Sequence, residues 1–477
     1  MKVCIKRKNI AYISIFIVLG LFSYLAYKSL TFPYLSYDES GQFFMSKGLN
    51  HHSMPYSHFG TLADALENNK HYNLDPGGFT VLLFFWAKVS NECFWLRLLP
   101  LLFFGFFLYY VFRIINMQVR NATLAALGCG VLMLSGDITY QLPFLRAYSM
   151  EMCGTMATLY YLLCWKEQLT YKKLLTLGLM VAFFCTSRYS YLFTAFVIGI
   201  IVLMLLYKQN SSLLQIFKKL ATFTIPILLI CIFIFWGMTI HQNAGASNIG
   251  YTTYLSTTPS ALKGNLAIAF YLMLAACTYF YIKFRHVPLA FVVASGVSVI
   301  AFVLSLMNKF PWDGKKDISV TILLYVGLYL VMFKLSKTLI EKIPLKIELL
   351  ATLLLLFVLC YGIRKRNHEQ EFRLHDKFVA FMNTKPHGKI FVNWTLSPDL
   401  RYLYEFGAFR NRSKSDGYPG KFMFGNREWH SYSNEKGLIR VLNLEKSGCA
   451  YYYNNSSASV KGWQLMPEYG TIFKRIN

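Results

Sequence analysis

Charge is what this sequence has least of. Asp, Glu, Lys and Arg make up 15% of its 477 residues, against about 25% in an ordinary soluble domain. With 55% hydrophobic and 17% aromatic residues, that shortage excludes a soluble globular enzyme and a disordered chain alike. A disulfide framework is missing too. Of ten cysteines, Cys129, Cys153, Cys164, Cys185, Cys231, Cys277 and Cys360 fall inside apolar runs, where cysteine acts as a small hydrophobe. No Gly-rich phosphate loop, internal repeat or low-complexity linker is found. Histidine spacing is poor for a metal. His51 and His52 are adjacent and His58 stands six residues on, whereas helical ligands stand three or four apart, so these three and His71 read as interfacial loop histidines. Acid is scarcer than base, with 23 Asp+Glu against 48 Lys+Arg and a net charge of +25. In a membrane chain such an excess reflects the inner-leaflet bias of Lys and Arg, so no nucleic-acid partner is expected.

What is present is a series of long apolar runs. A helix needs roughly 20 mostly apolar residues to cross the hydrocarbon. Runs of that kind lie near 10–30, 97–116, 121–141, 147–165, 172–187, 190–207, 221–240, 263–282, 287–307, 318–335 and 345–363. A shorter run at 76–90 opens on Pro76-Gly77-Gly78. The first run follows Lys2, Lys6, Arg7 and Lys8 but ends in TFPYLSYDES without a small-x-small cleavage site, so it reads as a retained helix rather than a signal peptide.

Charge decides whether 76–90 crosses. If it does not, 18 of the 29 Lys+Arg in residues 1–363 fall on the cytoplasmic side; if it does, every later loop inverts and most of them move outside, against the positive-inside tendency. The expectation is therefore eleven crossings and an N-terminus in the cytoplasm. A long first outer loop at 31–96 contains the non-crossing segment, and residues 364–477 lie beyond the membrane. On this topology Asp38, Glu39, Asp64, Glu67, Asp75, Glu92, Asp137, Glu151, Asp313 and Asp317 sit on or near the outer face, and only Glu167, Glu341 and Glu348 sit inside. Carboxylates have little influence on insertion, so this asymmetry points to an outer-face site that needs them. The tail at 364–477 is polar and holds no spanning run. GKIFVNW, CAYYYNN and GTIFKRI read as strands and SPDLRYLYEFGAF as an amphipathic helix, which together predict a small α/β domain.

Few residues in this chain can carry chemistry. Asp38-Glu39, adjacent and just past the first helix, could act as a general base or bind a divalent cation; a helix N-cap is the plainer reading of the pair. Asp75-Pro76 is a turn starter facing the same outer side. In PFLRAYSMEM, Arg146, Tyr148 and Glu151 open the fourth crossing, and Arg188 lies in TSRYSY between two runs. Intramembrane charge marks function or pairing, although an arginine near a helix end can also snorkel to headgroups. Functionally, such arginines suit a bidentate grip on phosphate. Lys315 and Lys316 stand outside, against the charge rule, and could neutralise a lipid phosphate or belong to a solvated loop.

In order, these segments resemble a known pattern: Asp-Glu after the first helix, a turn-Pro segment continuing LLxxFW, Arg97-Leu98-Leu99-Pro100 at a helix start, and Arg146-x-Tyr148 at the fourth crossing. The chain resembles the GT-C superfamily of integral membrane glycosyltransferases. Within it the chain is most similar to the family that includes protein O-mannosyltransferases and lipid A aminoarabinose transferases, over roughly residues 10–210. The resemblance implies a polyprenyl-phosphate-linked sugar donor, an acceptor that is lipid, glycan or protein, and transfer with inversion at the outer face of the cytoplasmic membrane. It matches Asp38 to the loop aspartate that acts as base or metal contact, with Glu39 beside it, matches Arg146 and Tyr148 to the Arg-x-Tyr, and places Asp75 and Glu151 as further pocket residues; Arg188, Lys315 and Lys316 join Arg146 and Tyr148 at the donor phosphate on their charge and outer-face position. A divalent metal is the one cofactor it suggests. Three departures stand out: the usual Pro-Pro is Pro76-Gly77, the second acidic site of some relatives is represented only by Glu151, a few residues off the best register, and the usual late Arg-Tyr is replaced by Lys315-Lys316-Asp317.

A flippase or exporter component is the alternative, but transporters favour midplane charges and inverted repeats, and neither is visible. The topology has a direct test. A periplasmic-type reporter fused after residue 363 is expected to be active, whereas an active cytoplasmic reporter there would overturn the side assigned to the tail.

Overall fold

A backbone in hydrocarbon must satisfy its own N–H and C=O groups, and the apolar runs do so as helices. The computed structural model describes residues 7–49, 59–73, 75–140, 142, 144–209, 212–243, 265–307, 317–335, 369–393, 396–425, 440–441, 449–454, 457 and 460–476. The helices of the first part are α1 (Arg7–Leu30), α2 (Tyr37–Ser46), α3 (Leu62–Tyr72), α4 (Gly78–Ala87), α5 (Cys93–Val119), α6 (Ala122–Leu134) and α7 (Gly136–Tyr140). There follow α8 (Tyr148–Trp165), α9 (Tyr171–Cys185), α10 (Tyr191–Lys208), α11 (Leu213–Asn243), α12 (Asn265–Phe284), α13 (Leu289–Leu306) and α14 (Ile318–Leu335).

Among the described residues, seven of these are long and apolar enough to cross a membrane: α1, α5, α10, α11, α12, α13 and α14. The protein is a polytopic helical membrane protein. The other expected crossings have a different character. The run at 121–141 divides at Ser135 into α6 and α7, of 13 and 5 residues. The run at 172–187 forms the 15-residue α9. Helix α8 has 18 residues but carries Ser149, Glu151, Thr155 and Thr158 among its buried positions. The run at 345–363 lies outside the described residues. Helix α4 is 10 residues long, about half the length that spanning requires.

Two compact units form, and the first comprises Met1–Tyr27, Leu74–Phe79 and Pro100–Arg364. At its centre α8 packs on α9, α10, α13 and α14. Small residues permit this closeness, as they do in membrane bundles generally. On α9, a Cβ at Gly178 would stand 2.3 Å from the Phe223 carbonyl oxygen, so α11 can lie against α9 only because that position is glycine.

The second unit comprises Lys28–Asn73, Thr80–Leu99 and Lys365–Asn477. Its sheet has the strands β1 (Ile390–Val392), β2 (Phe422–Gly425), β3 (Arg440–Val441), β4 (Tyr451–Tyr453), β5 (Trp463–Met466) and β6 (Ile472–Arg475), in the order β3-β2-β1-β4-β6-β5. The first four in that order run parallel, and β6 runs antiparallel to both its neighbours, β4 and β5. Strand alternation sorts the side chains. Ile390, Val392, Tyr453 and Ile472 share one buried cluster with Phe378 and Phe381 of α15 (Glu369–Asn383) and Leu400 and Leu403 of α16 (Ser397–Glu405), while Phe391, Tyr452 and Phe473 share another with Trp463. The strands expected at GKIFVNW, CAYYYNN and GTIFKRI and the helix expected at 397–409 coincide with β1, β4, β6 and α16.

The first loop folds into this same unit. The Tyr34 hydroxyl donates to Asp376 at 2.7 Å and the Tyr402 hydroxyl to the Asn91 carbonyl at 2.7 Å. The Phe43 ring meets Tyr402 and Phe406 edge-on, both at 5.2 Å. A buried amide network, in which Gln42 donates to Thr80 at 2.9 Å and Asn73 donates to Asn69 at 2.9 Å, ties α2, α3 and α4 together.

Lys47, directly after α2, is 1% exposed. Its ammonium lies 3.8 Å from the Phe406 ring centre, 4.5 Å from Phe59 and 5.6 Å from Phe43. Burial pulls its pKa from 10.5 down to about 8, against the opposing pull of the Glu405 carboxylate. Between those two values the unfolded chain binds more protons than the folded one, so Lys47 makes stability rise as pH climbs from about 8 to about 10.5. The full chain in detergent should therefore gain in melting temperature relative to Lys47→Met across that window. A difference between the two proteins that does not change with pH would show that Lys47 keeps its proton.

Candidate functional site

A charge inside an apolar helical unit has no water to solvate it and must be neutralised by its neighbours. In the first unit four charged side chains do this in a chain. Arg146, two residues ahead of α8, donates from Nη2 to Asp75 Oδ2 at 3.4 Å. Arg188, between α9 and α10, donates from Nε to Asp75 Oδ1 at 3.2 Å and from Nη1 to Glu151 Oε2 at 3.2 Å. The order is Arg146–Asp75–Arg188–Glu151, alternating in sign. The Arg188 guanidinium also lies 4.1 Å over the Tyr148 ring centre, where the face of the ring attracts a cation.

Glu151, in the first turn of α8, is fully buried. Besides Arg188, its Oε1 accepts from the Ser190 and Ser319 hydroxyls, both at 2.6 Å. Ser319 Oγ is in turn 2.8 Å from Thr155 Oγ1. A carboxylate accepting three such bonds is held rigidly, and it aims Arg188 from behind. Removing one partner of a buried pair of this kind costs about 3–5 kcal/mol, because the other charge is left uncompensated.

The local sequence explains how Asp75 reaches this place. Helix α9 ends where the Thr186 and Ser187 hydroxyls turn back onto the Phe183 and Phe184 carbonyls, each at 2.6 Å. The Gly78 N–H donates to the Thr186 carbonyl at 2.9 Å. Gly77 takes φ +102°, a conformation open to glycine at little cost. A Cβ at Gly78 would stand 2.0 Å from Thr186 Oγ1 and 2.8 Å from the Thr186 carbonyl. The Asp75-Pro76-Gly77-Gly78 turn is thus stitched to the segment that carries Arg188.

The two catalytic candidates of the first loop lie in the second unit and differ from each other. Asp38 is exposed on the first turn of α2. Glu39 is 2% exposed, as is Arg97, whose Nε and Nη2 donate to its two oxygens at 3.2 and 3.1 Å. Arg97 also donates to the Ser29, Phe32 and Tyr34 carbonyls. The Ser36 N–H donates to Glu39 at 2.9 Å, so Glu39 serves as the N-terminal carboxylate of a capping box. A cation on Glu39 would sit beside a buried guanidinium, and this residue does not fit a metal. The adjacent carboxylates are therefore not a matched pair.

Five of the expected site residues, Asp75, Arg146, Tyr148, Glu151 and Arg188, come together in the first unit. Arg146 and Glu151, five apart and only partly on one helix face, are linked through Asp75 and Arg188. Lys315 and Lys316 lie outside the described residues, as do His51, His52 and His58. Sequence reasoning missed Ser190 and Ser319 as donors to Glu151, and Arg97 as the partner of Glu39. Ser190 stands two residues from Arg188 in TSRYSY, a polar position at a helix start. Arg97 was visible as a charge opening an apolar run, which by itself demands a partner. No protein-family model and no curated protein matches the chain.

Gly78→Ala should destabilise the full chain by about 1–3 kcal/mol through overpacking against Thr186, read as a lowered melting temperature in detergent. An unchanged melting temperature would show that the turn is not clamped to the 186–190 segment.

Proposed function

We propose that the chain transfers a sugar from a polyprenyl-phosphate-linked donor to an acceptor at the outer face of the cytoplasmic membrane, as a GT-C glycosyltransferase. The observation that carries this reading is the convergence of Arg146 and Arg188 on one buried place in the apolar unit. Two guanidiniums directed at two separate oxygens match the way arginine takes phosphate. Their position within an apolar unit suits a phosphate that arrives on a lipid. The one-sided placement of the carboxylates expected from the sequence and the resemblance of residues 10–210 support the same conclusion.

In the reaction so proposed, the acceptor's hydroxyl or amine attacks the anomeric carbon while the bond from that carbon to the phosphate oxygen breaks. The resemblance over residues 10–210 gives the acceptor's proton to Asp38. The charge left on the departing polyprenyl phosphate is met by Arg146 and Arg188, with Tyr148 holding the Arg188 guanidinium by its ring face and Lys315 and Lys316 adding positive charge. Because the donor is already activated and lipid-linked, no nucleotide site is required. The proposed topology has eleven crossings, a cytoplasmic N-terminus and an extracytoplasmic tail domain, with lipid, glycan or protein as the acceptor class.

Cells lacking the protein should accumulate a polyprenyl-phosphate sugar, and the wild-type chain should clear it. Asp38→Asn should leave that lipid uncleared at unchanged membrane abundance. Lipid-linked sugar pools that do not respond to loss of the protein would overturn the enzyme reading; clearance by Asp38→Asn would remove Asp38 from the role of base.

A further inference from the structure

The arginine pair that would receive the donor's phosphate already holds an anion, the Asp75 carboxylate. We propose that Asp75 is a built-in stand-in for the donor phosphate, and that the phosphate takes the seat by displacing it. This rests on the phosphate reading of Arg146 and Arg188.

Three observations lead here. First, the two guanidiniums reach Asp75 from different segments and take different oxygens, Arg146 on Oδ2 at 3.4 Å and Arg188 on Oδ1 at 3.2 Å. Two oxygens of a phosphodiester present the same pair of acceptors. Second, among the described residues two carboxylates, Asp75 and Glu151, stand against these guanidiniums. A phosphodiester entering beside a carboxylate in such a place meets repulsion that is weakly screened. Withdrawal of one carboxylate relieves it.

Third, the two carboxylates differ in how they are held. Glu151 stands within α8, fully buried, and accepts from Arg188, Ser190 and Ser319. Asp75 stands outside any helix, on the turn whose next residues are Pro76 and Gly77, the latter at φ +102°. Glycine there lets the backbone re-aim with little steric cost. Asp75 is the carboxylate that can move. Arg188 would keep its Nη1 bond to Glu151 throughout, so its guanidinium would stay aimed while its other edge changes partner.

The test uses the full chain in nanodiscs and farnesyl phosphate as probe, with farnesol and inorganic phosphate as parallel titrants. Asp75→Asn should bind farnesyl phosphate about tenfold more tightly than wild type, since a competing ionic contact is gone, and Arg188→Gln should bind it more weakly. A gain confined to farnesyl phosphate identifies the lipid-linked donor as the ligand; a gain of equal size with inorganic phosphate identifies the phosphate group alone. If Arg188→Gln weakens binding but Asp75→Asn binds no better than wild type, the displacement is overturned and the phosphate seat stands. If wild type and Asp75→Asn bind farnesyl phosphate no better than farnesol, the phosphate reading falls and the proposal with it. A second measurement needs no variant. Amide hydrogen exchange at 75–80 in the wild type should speed up when farnesyl phosphate is bound, and unchanged exchange at saturating probe would overturn the proposal.

Discussion

Arginine does not lose its proton in an apolar setting, so the chain must supply the counter-charge that lipid cannot. In the first unit that demand falls on Arg188, and much of the surrounding architecture answers it. Helix α8 brings Glu151 to one edge of the guanidinium, the turn before α4 brings Asp75 to another, and Tyr148 lays its ring beneath it. Ser190 and Ser319 then hold Glu151 from α10 and α14, so several packed helices share one electrostatic constraint. The close approach of Gly78 to Thr186 is the steric side of the same arrangement.

The second unit meets a comparable demand differently. Arg97 opens α5 with both oxygens of Glu39 and three backbone carbonyls around it, so its charge is consumed locally. Glu39 spends its oxygens on that guanidinium and on the start of α2. Asp38, one residue earlier, lies at the surface. Neighbours in sequence thus diverge in chemistry because a helix turns about 100° per residue, sending one carboxylate to the interior and the next to solvent. A chain bearing Asp-Glu in this place carries one structural acid and one that faces outward.

In functional terms the two arginine arrangements differ. Arg97 is surrounded by protein acceptors, both oxygens of Glu39 on α2 and the Ser29, Phe32 and Tyr34 carbonyls. The pair Arg146 and Arg188 meets on a side chain borne by a Pro-Gly-Gly turn. Both places are ion-paired, but Glu39 stands within α2 whereas Asp75 stands outside any helix.

Much was legible in advance because it depends on local composition and period. Long apolar runs, the polar tail, the strands at 390–392, 451–453 and 472–475 and the helix at 397–405 follow from hydropathy and alternation. That Asp75, Arg146, Glu151 and Arg188 need partners also followed from the cost of charge near hydrocarbon. Hydropathy did not show that α9 would be 15 residues long or that α8 would bury Ser149, Glu151, Thr155 and Thr158, since the period of apolar residues does not report what a helix packs against. Nor did it show that the first loop folds with the tail, through contacts far apart in the chain such as Phe43 to Tyr402 and Tyr34 to Asp376, the latter 342 residues apart. The sequence by itself determined which charges needed partners; only the tertiary structure decided which partners they took, because pairing depends on helices and turns far apart in the chain arriving within a few ångströms of each other.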